Sequence, residues 1–476
     1  MPGSLSRFRL RLYTSDRKVR PSVRPRILFW LLLALVAGFC SQAHAIDLLD
    51  AWRAARANDA YFAAAGNALL AGFELQKQGD AGVLPSITLD GGAKQSEKDY
   101  RAGRPPGNGK SSSGQQFSAA LSLIAPIYNR SAAVYRDQSH RLSEQASVRY
   151  LIAEQDLILR TAKVYFDVLI AQESVKLVKA QSEAVKLQLA QARKMFEIGL
   201  ASVTDQNDAQ ARYDAIVAAE IAAQNDLDVK ENAFRLLTGL DSKHLQSISP
   251  ARTEMVPPSS LAGLIDLARE ENLNVRAQQL GLEVSRLEID RFRFLSSPVL
   301  TLVATVGQQL DHGSISPSGG RDRTLSGVIG LQLSIPIFSG GARESRLRQA
   351  YALADQQINT LEGVRRDAEQ QVQQYFLDMV NGSARVHALD QARVSAMTSV
   401  ESSKLGRELG ARTIVEVLNA EQAYFQTLYN FVVARYGVLF SRLQLAAATG
   451  SLHEAEIAEV NRWLTEAAVS GAPARR

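Results

Sequence analysis

The side chains able to do chemistry in this chain are few and poorly placed for catalysis. The six histidines stand at positions 44, 140, 244, 312, 387 and 453 with no metal-ligand spacing between them. No phosphate-binding loop, nucleophile elbow or HExxH helix is present. The paired acids Glu270 and Glu271 fit a solvated helix face. These residues imply no catalytic set, no metal and no cofactor. One short pattern is written twice. "EIGLASVTDQNDAQARYD" (197–214) and "ELGARTIVEVLNAEQAYF" (408–425) share Gly, then Ser or Thr, then an acid, at an offset of 211 residues.

The chemistry of that pattern is hydrogen bonding at helix ends. Gly199 and Gly410 each close a helical stretch, where a left-handed residue is most easily supplied by glycine. Ser202 with Asp205, and Thr413 with Glu416, have capping-box spacing: a hydroxyl at the N-cap and a carboxylate three residues on. Each site therefore predicts one helix ending and another starting within about four residues. The copies differ in charge, since Arg412 stands where the first copy has Ala201.

The elements that carry these turns are long. No proline occurs from Ile127 to Ser249 or from Ile337 to Ala472. Both blocks are rich in Ala, Gln, Glu, Leu and Arg, all good helix formers. Leu151, Ile158 and Tyr165 fall seven apart, as do Val168 and Val175, which predicts helices packed along narrow seams. Nothing breaks the helix from Ser131 to Ile198, a span of roughly 100 Å at 1.5 Å per residue.

Four segments read with period two instead. Leu325, Ile329, Leu331 and Leu333 alternate with Ser326, Gly330, Gln332 and Ser334 in "TLSGVIGLQLSIPIF". Leu121 and Leu123 alternate with Ser118 and Ser122, Leu300 and Leu302 with Thr301, and Ile87 and Leu89 with Thr88 and Asp90. These are strands with one apolar and one polar face. "LSLIAPIYNRS" (121–131) matches "LQLSIPIFSGG" (331–341), and "LLTGL" (236–240) echoes "AATGS" (447–451), at nearly the same offset as the turns. The chain is thus an internal duplication. Residues 46–260 form the first repeat with a strand hairpin at 83–127, and residues 261–450 the second with a hairpin at 298–337.

The amino terminus predicts export. Residues 1–26 carry eight Lys/Arg and one acid, followed by the apolar run Ile27–Phe39 and a small-x-small pattern at Ala43–His44–Ala45. That is a signal peptide over 1–45, too short to remain as a spanning helix. Bulky Phe39 disfavours lipidation at Cys40, the sole cysteine. The precursor charge of +5 includes +7 from this leader, so the mature chain is near −2 and nothing points to nucleic acid. No later run reaches 18 consecutive apolar residues, so membrane residence would have to be as a β-barrel or through an anchor. Four strands are too few to close one, which argues for pooling strands from several copies. A soluble β-sandwich with helical arms is the competing reading of the strands.

The export signal, the "PIY" and "PIF" strand exits, the doubled helix–hairpin plan and "GARTIVEVLNA" together resemble the TolC family of outer-membrane channel proteins. The likeness runs over essentially the whole mature chain. It implies a mixed, mainly α protomer that gives four strands to a trimeric twelve-stranded barrel, continued by a long α-helical tunnel through the periplasm. Residues 239–260 and 451–476 would belong to a mixed equatorial region and tail. The implied partners are two further copies, outer-membrane lipid, a periplasmic adaptor, and an ABC or proton-driven transporter of the inner membrane. The implied function is an exit duct for type I protein secretion, with multidrug efflux as the alternative. A reading from a different class is a periplasmic coiled-coil adaptor, though such proteins carry one helical hairpin rather than two. By matching positions, Thr204, Asp205 and Arg412 correspond to residues that link neighbouring hairpins at the periplasmic gate. Glu416 and Asn419 correspond to a ring of acids, with an amide replacing the second acid. Arg407 stands where a tyrosine link would be expected.

Overall fold

The computed structural model describes residues 45–99, 111–248 and 260–464. The signal peptide, apart from Ala45, the whole stretch Pro250–Pro258 and residues 465–476 of the tail lie outside these residues. In chain order the elements are α1 (Leu48–Asn58), α2 (Ala60–Ala81), β1 (Ser86–Asp99), β2 (Ser111–Tyr128), α3 (Arg130–Glu197), α4 (Val203–Thr238), α5 (Leu261–Glu271), α6 (Leu273–Arg293), β3 (Val299–Gly313), β4 (Arg321–Ser334), α7 (Ala342–Glu408), α8 (Ile414–Ala448) and α9 (Glu454–Asn461). Two short helices, two strands, one very long helix and one long helix occur twice.

The strands form one antiparallel sheet in the order β1-β2-β3-β4. The sequence paired strands within each repeat. The structure also pairs β2 with β3, so the sheet joins the repeats. Register lines Ile87, Leu123, Ala304 and Ile329 in one row, and Leu89, Leu121 and Val306 in the next, all on one face. Ser122 and Thr305 meet at 3.4 Å on the other face. β1 and β4 each keep a free edge, and their apolar side chains are exposed, Leu89 at 76% and Ile329 at 75%.

The two proline exits differ. Pro126 lies within β2, at a register shift against β3, and the strand runs on to Tyr128. The equivalent Pro336 lies beyond β4, which ends at Ser334, short of the expected 337. Proline cannot donate to a ladder. β3 still runs opposite β2 there, with Thr301 and Leu300 facing Pro126 and Tyr128, whereas β3 begins at Val299, opposite Ser334, and offers β4 no partner at Pro336.

The long helices, of 68 and 67 residues, run about 100 Å at 1.5 Å per residue. Both are stitched by a narrow seam. In α3, Ile158, Tyr165, Val168 and Val175 are buried, whereas Leu151 is 41% exposed and leaves the seam. In α7, Ala354, Leu361 and Ala368 follow a seven-residue step, and Val372, Met379 and Val386 repeat it. Such a step keeps one line of side chains on a neighbouring helix. α8 is long and apolar enough to cross a bilayer by composition, but its Tyr436, Leu439 and Leu443 enter the protein core.

That core lies where α1, α2, α3, α4, α8 and α9 converge, around Trp52, Phe62, Tyr165, Phe166, Phe234 and Leu443. The buried Tyr165 hydroxyl donates to the Ile46 and Gln246 carbonyls at 3.0 and 2.8 Å. The two ends of the described chain close over this core through bridges Ile46–Leu245 and Ile248–Leu464 and the Asn461 amide on Asp47.

A break that the sequence reading passed over is repeated as well. Asp59 separates α1 from α2 and caps α2 through the Phe62 amide at 2.6 Å. Asn272 separates α5 from α6 and caps α6 through the Val275 amide at 3.2 Å. Asp59 is only 6% exposed and is gripped by Arg160 at 2.9 Å. Arg160, above all, holds its carboxyl below the usual carboxylate range. The lowered folded pKa makes this contribution complete above the unfolded value of about 3.9, and it is lost as pH falls through the folded one. Arg160→Met should therefore destabilise the protein by about 2 kcal/mol, below the range for fully buried pairs because Arg160 is about one-third exposed. The thermal midpoint should drop below about pH 4, and less steeply in Asp59→Asn. An equal acid sensitivity in both proteins would refute the assignment.

Candidate functional site

The repeated turns lie at the ends of α3 and α7 remote from the sheet. At the first, the Gly199 amide donates to the Phe196 carbonyl at 3.0 Å and the Leu200 amide to Met195 at 2.8 Å. At the second, Gly410 donates to Arg407 at 3.0 Å and Ala411 to Gly406 at 2.8 Å. These are Schellman pairs, and both glycines are left-handed, with φ of 76° and 72°.

The next helix starts at once. The Asp205 amide donates to Ser202 Oγ and the Ser202 amide to the Asp205 carboxylate, both at 3.1 Å. The Thr413 amide reaches Glu416 Oε2 at 2.7 Å and the Glu416 amide reaches Thr413 Oγ1 at 3.3 Å. The Thr413 amide, first, and the Thr413 hydroxyl lower the Glu416 carboxyl below its ordinary value. Both capping boxes are complete.

Within the protomer Arg412 does not meet Asp205. Its Nη1 donates to Ser403 Oγ at 3.2 Å, and its stem runs beside Gly406, where a Cβ would come within 3.1 Å of Arg412 Cγ. Asp205 instead acts electrostatically on Arg407, along with Glu421, while burial pushes the Arg407 pKa down. Arg407 donates to Gln188 and, at 3.1 Å, to Gln191 of α3. Thr204, Arg412, Glu416 and Asn419 are exposed. Glu416 and Asn419 share one face of α8, three residues apart.

Several tip residues escaped the sequence reading. Arg212 Nη2 donates to Asn419 Oδ1 and its Nη1 to Gln422 Oε1, each at 2.8 Å. Lys404 lies 2.8 Å from Glu421, whose side chain is 4% exposed. Arg212 had a signal: it falls between Ala209 and Ile216, both buried, and so occupies a seam position. The amides that receive it cannot be read from either helix alone.

The apolar join between the hairpins at this level is small. Val185, Leu189 and Ala192 of α3 meet Ala209 and Ile216 of α4 and Ile414 and Leu418 of α8. A cavity of about 410 Å³ adjoins it, lined by Leu177, Ile216, Phe425 and Tyr429. Among the described residues no group of three or more His, Cys, Asp or Glu could hold a metal ion. The arrangement offers hydrogen bonding and charge at a helical tip.

With this geometry in hand, the chain matches the sequence model described as "Outer membrane efflux protein" over residues 52–240 and again over 264–451. It is 31% identical to outer membrane protein TolC of Vibrio cholerae over 437 residues, covering 90% of this chain and 97% of that protein. It is 28% identical to the proteases secretion protein PrtF of Dickeya chrysanthemi, covering 94% and 96%. The crystal structure of the Campylobacter jejuni CmeC outer membrane channel superposes with a TM-score of 0.75 at 16% identity, over 88% of this chain and 90% of that one, and so shares the fold.

Gly199→Ala and Gly410→Ala test the turns, because a Cβ at either position meets nothing within 4 Å and only the left-handed backbone resists it. Each should weaken its tip by about 1 kcal/mol and speed exchange of the following amide about fivefold. Unchanged protection of Leu200 and Ala411 would contradict the motif.

Proposed function

The chain belongs to the outer membrane efflux protein family, which makes it an outer-membrane channel protein extending into the periplasm and not an enzyme, and on that premise we propose that it is the exit duct of a type I protein secretion system. The observation that carries the duct is the four-stranded sheet with two free edges at the head of helices about 100 Å long. An unpaired edge is not tolerated in hydrocarbon, so strands of further copies must close it. Three copies would supply twelve strands around one polar lumen. Alternation of the rows Leu89–Leu121–Val306 and Thr88–Ser122–Thr305 supports an apolar face to lipid and a polar face inward. The helices would then cross the periplasm to meet an adaptor and an inner-membrane ABC transporter, which would supply energy and choose the cargo.

The secretion reading, rather than drug efflux, is supported by the relative named for protease secretion, which aligns along nearly the whole chain. The periplasmic gate is assigned to Thr204, Asp205, Arg412, Glu416 and Asn419. Because Arg412 is exposed and, among the described residues, its guanidinium hydrogen-bonds only the Ser403 hydroxyl, it has donors left for a neighbouring copy. Asn419 in place of an acid leaves one carboxylate per copy on this face and lowers cation selectivity.

Two measurements test these assignments. Expressed with a protease, its ABC exporter and adaptor in cells lacking their own exit duct, the protein should restore protease to the medium. Restored drug resistance without secreted protease would overturn the secretion reading. In planar bilayers, Asp205→Ala combined with Arg412→Ser should raise single-channel conductance. Identical conductance in the double variant and the parent would remove both residues from the gate.

A further inference from the structure

Between residues 180–215 and 400–426, the described side chains form four hydrogen bonds from one hairpin to the other. Two run from Arg212 of α4 to Asn419 and Gln422 of α8. Two run from Arg407 of α7 to Gln188 and Gln191 of α3. The two sets share a plan, but Arg212 forks through Nη1 and Nη2 whereas Arg407 gives both bonds from Nη1. One guanidinium serves two carboxamide oxygens three residues apart on a helix of the opposite hairpin. No ion pair among the described residues joins these stretches; Lys404–Glu421 and Lys186–Glu183, at this level, each lie within a single hairpin.

We propose that Arg212 and Arg407 form a reciprocal arginine–amide clasp within each protomer, and that Arg212 is a positioning residue for the gate because it holds α8, with Asn419, against the first hairpin. The proposal deepens the duct reading and rests on it. A planar guanidinium presents two parallel donors, and residues three apart on a helix face present two acceptors at matching separation. A neutral amide makes this link insensitive to salt, unlike the gate's charged pairs. The packing around it is thin. The apolar join is a seven-residue cluster, and beside it the 410 Å³ cavity has both Arg212 and Gln422 in its wall. Polar contacts must therefore carry much of the attachment at this level. Arg212 also brings a positive charge to Asn419, at the position where the gate has an amide instead of an acid.

The clasp makes its own predictions. In the full-length trimer in planar bilayers, Arg212→Ala should raise the ratio of open to closed time about tenfold, because its two charge-assisted hydrogen bonds are exposed and water replaces part of what they contribute. The shift should be the same in low and high salt. Arg212→Lys should recover only part of the closed population, because an ammonium cannot fork onto both amides. Heat-sensitive trimers on gels verify that each variant is folded. A second readout needs no current: hydrogen exchange at the first turns of α8 should quicken in Arg212→Ala and largely return in Arg212→Lys. Unchanged gating and unchanged exchange in Arg212→Ala would overturn the clasp. Absence of current from the parent trimer would count against the duct, while the exchange comparison would still decide the clasp.

Discussion

A sheet edge cannot lie unpaired in hydrocarbon, and this one fact governs the rest of the molecule. β1 and β4 each expose a full line of amides and carbonyls on one side. Water would satisfy them at small cost, but lipid offers no partner. The apolar face that Leu89, Leu121, Val306 and Ile329 build is the wrong surface for water. A protomer with this sheet is therefore incomplete by itself, and its duplication places two matched strand hairpins side by side so that further copies can continue the pattern.

Length follows from the same arrangement. Helices of 68 and 67 residues have too little buried surface per turn to stand alone, and each is held by a seam of mostly small or β-branched residues. The seam positions of α7 are strictly spaced, while α3 broadens to Tyr165 and Phe166 where it crosses the main core. That core ties both ends of the described chain and both repeats together at one level. Above and below it, the hairpins touch through narrow contacts, and this is where relative motion costs least.

The tips combine stiffness and looseness. Each turn is over-determined locally by a left-handed glycine, a Schellman pair and a capping box, so its backbone is held in one shape. The contact between the two tips is by contrast a small apolar cluster and a few arginine–amide bonds. Rigid ends joined by weak, discrete links can exchange between two arrangements without refolding.

The sequence by itself determined what depends on near neighbours along the chain. The duplication, the four strands, the proline-free helices and both capping boxes all rest on short-range spacing, and α3 begins and ends within one residue of the expected limits. What it missed depends on partners distant in sequence. Leu151 has seam spacing, but it lies exposed. Pro126 and Pro336 sit in matching motifs, yet only the strand that still has β3 opposite it continues past its proline. Arg412 and Asp205 are the complementary charges in the two turns, and only the folded chain shows Arg412 turned to Ser403 and Arg407 near Asp205. Capping and periodicity act over three to seven residues and can be read as text. A side chain's partner across two hairpins, about 210 residues away in the chain, is chosen by how the helices pack.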